Sequence, residues 1–163
     1  SYIEPFLINI AGLNHDVATI GLLIFGVAGI IGSLIFTKTN SKRTLTMMTI
    51  SLIGVTIALL LAYPLALNLF SILSLCVFWG IAIMIFNLVF QYCIIKIAPQ
   101  AAAVAMAIYS GIYNVGIGSG ALIGAKVSTL AGTQYVGIAG CIIGTMAIVL
   151  FFALRKPYLK GNI

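Results

Sequence analysis

Three glycines spaced four residues apart, Gly116, Gly120 and Gly124, sit in a run over residues 110–127 whose one charged side chain is Lys126. On a helix this spacing puts all three on one face, where a second backbone can come very close. Gly118, Ser119, Ala121 and Ala125 fill in around them. In water each glycine would cost a helix about 1 kcal/mol relative to alanine. In hydrocarbon an unpaired backbone group costs more, so a glycine-rich helix is still the better state. The run is therefore expected to be a transmembrane helix that packs tightly or slides. Tyr109, Tyr113 and Asn114 just upstream form a polar patch on it.

The rest of the chain agrees with a bilayer setting. Of the 163 residues 63% are hydrophobic and only 6% are charged, and the mean hydropathy is +1.26. A soluble domain carries roughly 25% charged residues, so this is an integral membrane protein. The net charge of +6 does not indicate nucleic acid, because the basic residues lie between apolar runs rather than on one face. Cys76, Cys93 and Cys141 all fall inside apolar runs and read as small buried hydrophobes, not as a disulfide set or metal site. There is one histidine, no Cys/His cluster and no phosphate-binding loop. Acid–base or metal chemistry needs several titratable groups together, so neither enzyme activity nor a cofactor or metal is expected.

Taken in order, the chain divides into six apolar segments. The first, residues 2–12, is shorter than the roughly 20 residues a spanning helix needs. It is expected to be the latter half of a helix that begins upstream. The others are expected over residues 17–36, 44–63, 69–95, 100–125 and 136–154. Asp16 is placed to cap the second, Pro64 to stop the third and Pro99 to open the fifth. With alternating crossings, Lys38, Lys42, Arg43, Lys96, Arg155, Lys156 and Lys160 fall on one side and Lys126 alone on the other. By the positive-inside rule the basic side and the C-terminus are cytoplasmic. The second and fifth segments are the glycine-rich ones and run in opposite directions, the pattern of two inverted three-helix repeats. Gly29 and Gly32 of the second, with Gly116, Gly120 and Gly124 of the fifth, are expected to form the packing faces. Gly140 and Gly144 of the last segment are expected to tolerate bulk better than Gly120.

Several residues are candidates for work. Glu4 stands about eight residues, or roughly 12 Å of helix, from Gly12. A carboxylate at that depth is costly and by default points to ion or proton handling. The competing reading puts Glu4 at a frayed end or the outer surface. Gly80, Met84, Asn87 and Gln91 share one stripe of the fourth segment. Asn87 and Gln91 there, like Tyr109, Tyr113 and Asn114 on the fifth, either line a cavity or make interhelical hydrogen bonds. Trp79 reads as an interface anchor or core residue, and His15 beside Asp16 as a solvated neighbour of a cap.

Three stretches carry a family likeness. Tyr2-Ile3-Glu4-Pro5-Phe6-Leu7 resembles the outer half of the seventh helix of the major facilitator superfamily. Gly29-Ile30-Ile31-Gly32-Ser33 followed by Lys38, Lys42 and Arg43 is similar to the glycine and basic motif after its eighth. Tyr113-Asn114-Val115-Gly116-Ile117-Gly118-Ser119-Gly120-Ala121 is similar to its eleventh. The likeness is nearest to the drug:proton antiporter and sugar-efflux branch, although Asn40-Ser41-Lys42-Arg43 lacks the acid usual in that loop. The resemblance implies an all-α polytopic fold, a six-helix bundle that is the C-terminal half of a twelve-helix transporter. It implies a bacterial cytoplasmic membrane, lipid and a further N-terminal six-helix half as partners, and proton-coupled efflux of small amphipathic drugs or sugars. Glu4, Phe6, Asn87, Gln91, Tyr113 and Asn114 would then lie on the substrate or proton path, and Lys38, Lys42 and Arg43 in a cytoplasmic loop. The rival expectation is a self-contained membrane protein that forms a homo-oligomeric scaffold or channel.

Overall fold

Asn14, in extended backbone, starts the first long helix. Its side-chain oxygen accepts a hydrogen bond from the Val17 amide at 3.0 Å. Asn14, not Asp16, is the cap, because a capping side chain must reach an amide three residues on. Asp16 lies in the first turn instead, where a carboxylate meets the positive end of the helix dipole. The structure, a computed structural model, describes residues 7–8, 12, 14–39 and 43–160, with side chains as far as 154.

Five helices long and apolar enough to cross a membrane follow one another among the described residues. They are α1 (His15–Thr37), α2 (Thr44–Leu65), α3 (Leu69–Ile97), α4 (Ala102–Leu130) and α5 (Val136–Lys160). They correspond to the second to sixth apolar segments. The first lies largely outside the described residues, with Leu7 and Ile8 helical. Pro64 does not stop α2 but sits inside its last turn, where the one amide it lacks removes a single bond. A 3₁₀ turn, Pro99–Ala101, precedes α4. Lys126 lies within α4 rather than beyond it, and α5 continues six residues past the expected end at 154, to Lys160. Leaving hydrocarbon does not end a helix, and cations at its C-terminus favour continuation. Gly132, at φ 109°, turns the chain between α4 and α5, a conformation that side chains rarely adopt.

The packing is centred on α3. It carries α1 along one side and α2 along another, and α2 in turn carries α5. Small residues make these contacts, as they must where lipid gives helices no hydrophobic reason to associate. A Cβ on Gly32 would stand 2.8 Å from the Ile81 carbonyl oxygen, and one on Gly80 would strike the Phe25 carbonyl. A Cβ on Gly29 would meet the Met84 methyl at 3.1 Å. Phe25 and Trp79 meet edge to face beside this crossing, with centroids 6.0 Å apart. Trp79 also leans on a core of Leu7, Ala18, Ala58, Ala62, Ala66, Ile72 and Leu75, so it is a packing residue.

The last helix is not the tolerant one. A Cβ on Gly137 would stand 2.6 Å from the Leu59 carbonyl oxygen, and one on Gly144 would stand 2.6 Å from the Thr56 hydroxyl. Gly140 lies against the Leu59 side chain, with 3.2 Å available. A Cβ at Gly116, Gly118 or Gly120 would meet nothing within 4 Å. Within this chain the expected order of tolerance is therefore reversed. The reason is that α5 closes on α2 backbone to backbone, whereas α4 touches α3 and α5 only lightly and buries Gly124 alone.

Candidate functional site

Three polar side chains inside apolar helices, Asn87, Tyr109 and Tyr113, meet where α3 faces the first half of α4. Asn87, on α3, donates from Nδ2 to the Ile83 carbonyl at 3.1 Å and to the Tyr113 hydroxyl at 3.0 Å. Its Oδ1 accepts from the Tyr109 hydroxyl at 3.1 Å. Tyr109 and Tyr113 stand one turn apart on α4, the spacing that places two side chains on one face. One amide thus holds both phenols, and these two bonds are what the thin α3–α4 contact chiefly consists of in polar terms.

Aromatic rings extend from this centre. Phe86 and Phe90, also one turn apart, pack with centroids 4.9 Å apart. Phe90 stacks nearly parallel to Tyr109 at 6.4 Å and 17°, and Tyr109 lies 5.8 Å from Tyr113. The four rings form a ladder along an open groove of about 520 Å³. Ile94, Ala105, Ile108 and Ile112 complete its lining, and none of the lining residues is charged. Such a surface offers flat, almost wholly apolar contact, the larger part of what lines a small-molecule site.

Other expected positions do not join it. Gln91 has no side-chain hydrogen bond among the described residues. Asn114 is exposed and donates to the Ser110 carbonyl of its own helix at 2.8 Å. The α3 stripe is split between two neighbours: Gly80 and Met84 are covered by α1, and Asn87 turns to α4. It does not line one cavity along its length. Glu4, Phe6 and Lys42 lie outside the described residues, while Lys38 and Arg43 are exposed at the α1–α2 connection. No group of His, Cys, Asp and Glu able to hold a metal is present among the described residues. Phe86 and Phe90 were not picked out in the sequence. Their signal was there, as an i, i+4 aromatic pair matched by Tyr109 and Tyr113.

Residues 1–163, the whole sequence, match the Major Facilitator Superfamily. The chain belongs to that superfamily. Major facilitator proteins are membrane transporters and not enzymes, in keeping with five apolar helices and an uncharged groove. In a major facilitator setting, the ladder is an apolar surface able to make flat contact with a solute.

Proposed function

We propose that this chain is one six-helix half of a secondary transporter that exports small amphipathic molecules in exchange for protons. The single observation that carries the reading is the ladder of Phe86, Phe90, Tyr109 and Tyr113 with Asn87 hydrogen-bonded at its polar end. Flat amphipathic solutes fit this better than sugars. A sugar presents hydroxyls all round, and the lining of the described groove is almost wholly apolar. The uncovered glycine face of α4 supports a further six-helix half as partner, arranged with this one as inverted three-helix repeats. Glu4 is the proposed proton carrier on this side, since a carboxylate at membrane depth is costly and by default points to ion or proton handling. The basic ends, with Lys38, Lys42, Arg43 and Lys96, are placed in the cytoplasm.

The test is transport in proteoliposomes. With an acidic lumen, proton exit should drive ethidium inward through the full-length protein, and ammonium, by collapsing the gradient, should abolish it. The chain alone should be inactive. Uptake by the full-length protein that ignores the pH gradient would remove the proton coupling. Transport by this chain alone would favour the homo-oligomeric reading.

A further inference from the structure

We propose that Arg43 and Lys96 form a seat for the phosphate of an anionic phospholipid. The site lies on the α2 side of α3, away from the groove. A Cβ on Gly54 of α2 would stand 3.3 Å from the Ala82 methyl of α3, so these positions mark the facing stripes of the two helices. Arg43 lies eleven residues before Gly54, about three turns, and Lys96 fourteen residues after Ala82, about four turns. Near-whole turns return each cation to its own facing stripe. The helices run in opposite directions across the short connection at residues 66–68. Arg43, at the start of α2, and Lys96, in the last turn of α3, therefore share one end of the pair. Lys96 stands about 4.5 Å further along the axis.

Both side chains are exposed. Asp16 is the one acid among the described residues, and it stands in the first turn of α1. That is the opposite end, where Ala18 shares a cluster with Leu7 and with Ile72 at the start of α3. Glu4, the other acid of the sequence, is three residues from Leu7. Two cations are thus brought together with no described acid beside them, and an anion between them removes their repulsion. The surroundings select a lipid phosphate over a free one. Lys96 is one residue from the end of a helix longer than the hydrocarbon core, which puts it at headgroup level. Ile97 beside it is 83% exposed, and Ile95 and Leu45 are also open. Cations edged by open apolar side chains match an acidic headgroup with acyl chains below it.

The experiment is native mass spectrometry of the full-length protein in detergent, titrated with dioleoylphosphatidylglycerol, dioleoylphosphatidylcholine or inorganic phosphate. The expected result is tighter binding of phosphatidylglycerol than of phosphatidylcholine. Arg43→Gln and Lys96→Gln should each weaken phosphatidylglycerol binding roughly fivefold, as removal of one surface cation allows. Lys96→Arg should retain it, and Lys126→Gln, towards the other end of the membrane, should change nothing. At a lipid concentration that just saturates the parent, the double variant Arg43→Gln/Lys96→Gln should lose one bound lipid. A preference absent from the parent, or unchanged in both single variants, overturns the inference. Loss of two lipids from the double variant also overturns it, because each cation would then serve its own lipid. Displacement of phosphatidylglycerol by an equal concentration of inorganic phosphate would make the site one for a free anion and overturn the lipid assignment.

Discussion

At the scale of single residues, Asn87 is the side chain on which most depends. It makes three hydrogen bonds, two of them to the neighbouring helix. Interhelical hydrogen bonds in membranes contribute on average about 0.6 kcal/mol each. Asn87→Leu should therefore lower stability by about 1 to 2 kcal/mol, read as thermal unfolding of the protein in detergent. Asn87→Leu should also weaken the α3–α4 contact selectively, so that a cysteine pair across that interface crosslinks less while one across α1–α3 is unaffected. Equal stability and equal crosslinking would show that the two phenols do not need the amide. The sequence marks Asn87, Tyr109 and Tyr113 plainly, as polar groups in apolar runs. It leaves open whether they line a cavity or bond between helices, since the choice depends on how two helices cross. Here all three bond between helices, and the two phenols also edge the groove.

At the scale of helices, glycine position separates contact from exposure. Gly32 and Gly80 let α1 and α3 meet backbone to backbone, Gly137 does the same for α5 on α2, and Gly144 seats α5 on the Thr56 side chain. Bulk at such sites forces helices apart and typically costs about 1 to 3 kcal/mol. Gly144→Leu should cost this much in thermal stability of the isolated chain in detergent, and Gly120→Leu should leave that stability unchanged. If a further half covers α4, the effect of Gly120→Leu should appear instead in the full-length protein, as lost assembly. Loss of stability in the isolated chain from Gly120→Leu would contradict the open face. The five spanning helices among the described residues were legible from hydropathy, in order, because each run had to satisfy its backbone internally. Partner choice was not. A four-residue glycine repeat reports that a face is small, and says nothing of which helix uses it. The C-terminal ends of α4 and α5 ran five and six residues past the expected ones, and the cap went to Asn14 because Asn and Asp compete for that role at neighbouring positions.

At the scale of the whole molecule, the five helices set a testable sidedness. Their connections at residues 38–43, 66–68, 98–101 and 131–135 are short, so successive crossings alternate. Lys38, Arg43 and Lys96 share one end, and Lys126 lies towards the other. α3 and α4, at 29 residues each, are roughly 43 Å long against a hydrocarbon core of about 30 Å. Their ends reach the headgroups, where charge decides orientation. Cys76, Cys93 and Cys141 lie on α3 and α5 and are replaced by alanine for the test. Introduced cysteines will therefore report location directly. In intact cells Ala131→Cys should be labelled at once, and Thr39→Cys only after the membrane is opened. The reverse pattern would put the basic end outside, and with it the C-terminal end of α5. That result would leave the helix packing untouched but would reverse the direction of any gradient-driven export, because the groove between α3 and α4 would then load from the opposite face. Labelling of both positions in intact cells would mean that at least one of α2, α3 and α4 does not cross. The thin packing of α4 makes it the helix to examine first.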